Sequence, residues 1–329
     1  MLARAAFVLC LGWLLGCGSS DSDGGITIDP GGSGAGSGAG NGSGASSGSG
    51  AGAGVPGISF GGADPSGGAG GSGGGRPVGN GMPELCDGID NDANGIVDDR
   101  DVGNDGICDC LKIATLGLPG TWGEGDVFDS WLDSRSENGA ADLGDQVLTA
   151  ELLAPFQVIV VQDVSKLNRS YSEAEVQAFN AWLGQGRGVM TLIGYGDPAE
   201  RANVNALLVQ SGLGYGEQQI LRKRGGSTIP ITGWQPHPVT EGVTQIGVDN
   251  GYPVQGPGPT LASESGFDLL KAAEVGSGRA LVWGDEWITY NSEWSGHPEY
   301  QVELFWVNAI KWLTPATECQ VPVPPSIPR

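Results

Sequence analysis

Apolar and polar positions divide this chain into regimes with different periodicities. Residues 5–15 form one short apolar run, and residues 18–81 contain almost no large apolar side chain. From Leu111 onward, apolar blocks alternate with mixed stretches. Leu111 to Leu116 is apolar and stops at Gly117, as a strand would. Phe156–Gln162 (FQVIVVQ) is a continuous β-branched run, the pattern of a strand buried on both faces. Gly188–Ile193 (GVMTLI) and Ala280–Trp283 repeat that pattern. Between them lie helical signals. Gly125–Ser134 can coil, and Ser172-Glu173-Ala174-Glu175 reads as a capping box that opens a helix to about Leu183. Phe179, Trp182 and Leu183 share one face of that helix. Pro198–Val209 is expected to be helical, and Tyr300–Leu313 is an amphipathic closing helix rich in aromatics. Strands alternating with helices predict an α/β fold, a parallel sheet with helices on both faces.

Composition then sets the organisation. The stretch that is mostly Gly, Ser and Ala cannot bury enough apolar surface to offset the entropy of ordering, so it reads as a disordered tether with a root-mean-square reach of about 40 Å. The chain is thus expected to divide into 1–16, the tether 17–82, an acidic cysteine-containing segment 83–110, the α/β domain 111–315 and a Pro-rich tail 316–329. With 38 acidic against 16 basic residues the net charge is −22, which argues against nucleic acid or an anionic membrane surface as a partner and is compatible with cation binding.

Of the six cysteines, Cys86, Cys108, Cys110 and Cys319 form an even set suited to an oxidising compartment. Three pairings exist. Cys86 with Cys108 and Cys110 with Cys319 is the expected one, stapling the acidic segment and joining the two ends of the domain. Zinc is disfavoured, because Cys108-Asp109-Cys110 has no second pair at zinc spacing and the chain has only two histidines.

The acidic segment carries candidate chemistry. Asp90, Asp92 and Asn94 stand at alternate positions before Gly95, and Asp101 is the twelfth residue counted from Asp90. That spacing resembles the calcium loop D-x-[DN]-x-[DN]-G. It predicts a Ca²⁺ site built from Asp90, Asp92, Asn94, the Ile96 carbonyl, Asp98 and Asp101, with an Asp in place of the usual closing Glu. The run Cys86-Asp87-Gly88-Ile89-Asp90-Asn91-Asp92 is also similar to an acidic metal-binding motif of secreted bacterial proteins, with Ala93 where that motif has its second cysteine.

At the start of the chain, Arg4, the short apolar run and Leu14-Leu15-Gly16-Cys17 resemble the signal peptide and lipobox of bacterial lipoproteins. The resemblance implies that residues 1–16 are removed and that Cys17 carries acyl chains, which anchor the chain to a membrane. Gly18, rather than Asp, after the cysteine implies the outer membrane.

Residues 111–313 resemble the class I glutamine amidotransferase-like fold, and its ThuA-like relatives in particular. The residues carrying this are Val189 to Gly196, His237 to Val243, and Arg279 to Trp287. In active members the turn after the central strand bears a cysteine nucleophile. Here Tyr195 stands there between Gly194 and Gly196, and no cysteine occurs from Leu111 to Glu318. The resemblance therefore implies a non-catalytic binding or structural domain, with an envelope polysaccharide or protein as its ligand. The alternative is a hydrolase of carbohydrate or amide bonds working through carboxylates at strand ends, with Asp197, Asp285 and Glu286 as its candidates. His237 precedes a proline and is expected to shape a turn. Trp283, Trp287 and Trp294 are a candidate sugar-stacking surface with a competing place in the core.

Overall fold

The computed structural model describes residues 82–117, 124–162, 164, 169–194, 198–223 and 228–321. Residues 1–81, where the signal peptide, the Cys17 anchor and the tether are expected, lie outside the described residues, as do Tyr195, Asp197 and most of the Pro-rich tail. Among the described residues no helix is long and apolar enough to cross a membrane.

In chain order the elements are β1 (Ile113–Gly117), α1 (Asp126–Asp133), β2 (Ala141–Asp142), α2 (Ala150–Leu153), β3 (Val158–Gln162), α3 (Glu173–Gly184), β4 (Gly188–Leu192), α4 (Pro198–Leu207), β5 (Gly214–Tyr215), β6 (Ile229–Ile231), β7 (Gly233–Trp234), β8 (Ile246–Val248), β9 (Val254–Gln255), β10 (Thr260–Glu264), β11 (Phe267–Val275), β12 (Gly278–Trp283), α5 (Asn291–Ser295) and α6 (Val302–Leu313). The β-branched runs are the inner strands, and every residue of β1, β3 and β4 is buried. The capping box forms as expected: Ser172 Oγ accepts from the Glu175 amide at 3.3 Å, and Glu175 Oε2 accepts from the Ser172 amide at 2.9 Å.

The main sheet has the order β2-β1-β3-β4-β12-β11-β10-β7. Its first five strands pair in parallel, as in a flavodoxin-like sheet. Alternate residues feed two cores. Val158, Val160, Met190 and Leu192 pack on one face with Phe128 and Trp131 of α1 and Phe305 and Trp306 of α6. Ile159, Val161 and Val189 pack on the other face with α3 and α4 through Phe179, Leu183, Val204 and Leu207. The α/β arrangement with helices on both faces is therefore the observed one.

The far side of the sheet was not anticipated. β11, β10 and β7 add antiparallel to β12. The β10–β11 hairpin turns through Ser265 and Gly266, both at positive φ (52° and 83°), the backbone of a two-residue turn matched to strand twist.

The cysteine pairing also differs from the expected one. The bridges are Cys86–Cys110 and Cys108–Cys319. The reason is local: residues 97 and 318 form a parallel bridge, and the Cys319 amide donates to the Val97 carbonyl at 3.0 Å. This brings the end of the domain onto the acidic segment beside Cys108, and Cys110 is left for Cys86. Ile107, Cys108 and Cys110 are buried in the same core as α1 and α6.

Candidate functional site

Two regions gather acidic side chains. The first is the acidic segment, where backbone amides are the main partners. Asp90 accepts from the Asn94 and Gly95 amides at 3.1 and 2.8 Å, and Asn94 Oδ1 accepts from the Ile96 amide at 2.8 Å. Asp98 Oδ1 accepts from the Asp87 and Gly88 amides at 3.0 and 2.9 Å. Asp101 accepts from the Asp105 and Gly106 amides at 3.1 and 2.9 Å, repeating the Asp90 pattern eleven residues on. The repeat extends to backbone conformation: Ala93 and Asn104 both have positive φ (64° and 50°), as do Gly95 and Gly106 (97° and 81°). The segment is thus two copies of one turn. This was legible in the spacing of Asp90-x-x-x-Asn94-Gly95 and Asp101-x-x-x-Asp105-Gly106, and it was missed.

The segment also brings together acids that the spacing did not nominate. Carboxylate oxygens of Glu84, Asp92 and Asp99, one from each, lie within 4.8 Å of one another, a group that could hold a metal ion. Of the expected ligands only Asp92 belongs to it. Asp90, Asp98 and Asp101 are engaged by backbone amides, as is Asn94 Oδ1. Glu84 and Asp99 were missed because they fall outside the alternate-position pattern, Glu84 before the loop and Asp99 at its tenth position.

The second region lies at the carboxyl ends of the parallel strands, where open α/β sheets bind ligands. Gly117 ends β1 so close to β3 that a Cβ would overlap the Gln162 carbonyl oxygen. Gln162 Nε2 donates to Thr289 Oγ1 at 2.9 Å, and Thr289 in turn donates to the Glu286 carbonyl at 2.9 Å. The Glu286 side chain lies against Gly194, where any Cβ would strike its Cγ and carboxylate. Asp285 is fully buried: Oδ2 accepts from the Asp249 amide at 3.0 Å and Oδ1 from the Glu286 amide at 2.8 Å. Burial pushes its carboxyl well above the usual range, and the nearby Glu286 and Asp249 push the same way against those two donors. Asp249 pairs with Lys223 at 3.2 Å, and the Lys223 ammonium sits 4.2 Å from the Trp287 ring centroid. Glu293, only 1 % exposed, is raised to about 7. Burial is the main cause; Glu299 and Asp249 add to it, and His297 and Lys223 oppose it.

The corner therefore holds Asp285 and Glu286 adjacent but sealed. Open depressions of about 540 and 430 Å³ share His237, and a third, of about 630 Å³, is lined by Lys223, the partner of Asp249. His237 Nδ1 accepts from the Val239 amide at 3.2 Å, shaping the turn expected of a His-Pro pair. Trp283 is core, stacked on Trp234 at 6.2 Å, and Trp294 packs 6.1 Å from Phe128 and 5.6 Å from Trp131. His297 pairs with Glu299 at 3.1 Å in a polar loop.

No family model matches the chain, and no curated protein does. Among solved structures it is similar to a cytoplasmic protein from Salmonella typhimurium LT2, at 13% identity and TM-score 0.48, over 62% of this chain and 100% of that one. It is similar to a ThuA-like protein from Bacteroides uniformis ATCC 8492, at 15% identity and TM-score 0.40, over 61% of this chain and 91% of that one. It is also similar to an exo-beta-1,4-mannosidase from Opitutaceae bacterium strain TAV5, at 13% identity and TM-score 0.38, over 63% of this chain and 37% of that one. No activity is carried over from any of them.

Proposed function

We propose that this protein is a cell-envelope lipoprotein, anchored through acyl chains on Cys17 and placed in the outer membrane. Its α/β domain works as a binding or structural unit rather than a catalyst. The acidic segment takes a divalent cation, Ca²⁺ by its all-oxygen chemistry. The observation that carries the non-catalytic reading is the sealed corner: Asp285 is 0% and Glu286 2% exposed, and both Asp285 oxygens are occupied by backbone amides. A carboxylate that must meet substrate needs an open face toward it. The anchor rests on Leu14-Leu15-Gly16-Cys17, and two disulfides suit an oxidising compartment.

The anchor is tested by intact mass and membrane fractionation of wild type and Cys17→Ser. The expected result is an acylated chain beginning at Cys17 in the membrane fraction, and an unacylated Cys17→Ser protein. Equal masses and equal fractionation would remove the anchor.

The alternative, a hydrolase of carbohydrate or amide bonds, is favoured by one observation: a strand-end carboxyl held above its usual range beside a second acid, as general acids are. It requires turnover that disappears in Asp285→Asn. No turnover on glycan and amide panels removes it.

A further inference from the structure

We propose that Glu84, Asp92 and Asp99 jointly ligate one calcium-type cation, and that this ion ties the stretch before Cys86 to the first turn of the acidic repeat. The proposal rests on the cation reading above and names its ligands, two of which the loop spacing does not include.

Three observations converge. First, an ion bound at about 2.3–2.6 Å by two oxygens requires those oxygens to lie within roughly 5 Å of each other. The three carboxylates meet that requirement pairwise, with one oxygen of each within 4.8 Å of the others. Second, two of the three carboxylates are incompletely satisfied, while Asp92 Oδ1 accepts from the Asn94 amide at 3.0 Å. Glu84 is 9% exposed; its Oε1 accepts from the Asp92 amide at 2.9 Å, while its buried Oε2 has no hydrogen-bond partner among the described residues. The buried Oδ1 of Asp99 likewise has none. A buried acceptor left unpaired is costly, and more so when charged. Third, the group holds three acids and no base. The Asn94 side-chain amide bridges Asp92 Oδ2 and Asp99 Oδ2 at 3.1 and 2.8 Å, but it is neutral. Among the described residues the ion pairs of Arg100, Lys112, Arg135 and Lys271 are made elsewhere. A divalent cation among the three would supply the missing partner for both orphaned oxygens and cancel the mutual repulsion.

Position gives the ion its role. Glu84 lies two residues before Cys86, and the Met82 amide donates to the Asn91 carbonyl at 3.1 Å. The ion would join this entering strand of chain to Asp92 and Asp99 across the first turn of the repeat, beside the Cys86–Cys110 bridge.

The test uses the full chain in detergent, stripped with EDTA. Calcium titration by calorimetry and thermal melts with and without Ca²⁺ are run on wild type, Glu84→Gln, Asp99→Asn and Asp90→Asn. Wild type is expected to bind with Kd of about 10⁻⁴–10⁻³ M, as extracellular modules do. Glu84→Gln and Asp99→Asn should each weaken binding at least tenfold, abolish the Ca²⁺-dependent rise in Tm, and melt no lower than wild type in EDTA, since one like charge is gone. Unchanged affinity in both variants overturns the ligand assignment while the cation reading of the segment survives. No saturable binding to wild type overturns both. Should the variants not fold, crystals of the wild-type chain soaked in Tb³⁺ decide the matter. An anomalous peak in contact with Glu84 and Asp99 supports the site, and a peak on Asp90 or Asp101, or none, overturns it.

Discussion

The acidic segment and the strand-end corner both crowd carboxylates together, and they tolerate the crowding by opposite means. In the segment Asp90, Asp98 and Asp101 stay partly exposed and turn onto backbone amides. In the corner the acids are taken out of water, and the neutral form is favoured instead: Asp285 and Glu293 are both raised by burial. Among the described residues Lys223 pairs with Asp249, and Asp285 accepts from the backbone amides of Asp249 and Glu286. The segment is braced by two disulfides, whereas the corner is held by the sheet and by α6 around it.

Opening the Cys108–Cys319 bridge strikes at the segment's bracing and should have the largest effect. Its loss in Cys108→Ser/Cys319→Ser is expected to cost about 2–5 kcal/mol, read as a Tm fall of roughly 10 °C by calorimetry. A shift under a degree would mean that the segment holds itself as the corner does.

In the corner, Asp285→Ala strips the acceptors from two buried amides and should cost about 2–3 kcal/mol. Asp285→Asn keeps one of the two acceptors and leaves the other amide facing an NH2 group, so by urea unfolding it should cost about half as much as Asp285→Ala. An equal, large loss in both variants would show that both acceptors are required there.

Smaller effects lie on the pH axis. Glu293 is raised from 4.5 to about 7, so its contribution is fully present below pH 4.5 and is lost as pH rises through about 7. Glu293→Gln should therefore flatten the decline in Tm between those limits, by a few degrees. Glu175 shifts the other way. Burial alone would raise it, but bonds from the Ser172 amide, Arg169, the Ser172 hydroxyl and the Leu148 amide together lower it to about 2. Its contribution is present above pH 4.5 and is lost as pH falls toward about 2, and Glu175→Gln should weaken that acid limb, with a smaller effect than the others. Limbs that do not respond to either variant would place the titrating groups elsewhere.

How much was legible in the sequence follows the same contrast. β3, β4 and the capping box at Ser172 were readable because burial on both faces imposes an uninterrupted β-branched run and because caps are local. The antiparallel strands were not, since β10 and β11 carry Glu264, Asp268, Lys271 and Glu274 and so lack such a run. The Ser265-Gly266 turn was the available signal. The cysteine pairing was illegible because Cys108 and Cys110 stand two apart, and the choice between them is made by a tertiary contact at residue 318. Loop spacing nominated Asp92, but Glu84 and Asp99 join it only through the folded path of the chain.

The two sulfur bridges also decide how the molecule bears a pull. Tension arriving at Met82 passes from Cys86 to Cys110, at the threshold of β1, and from Cys108 to Cys319, beyond the closing helix. Force is shared between both flanks of the sheet rather than peeling its first strand. While the second bridge holds, the 211-residue separation it spans cannot be drawn out, so the domain would lengthen very little under a load that unravels an unbridged fold of the same size.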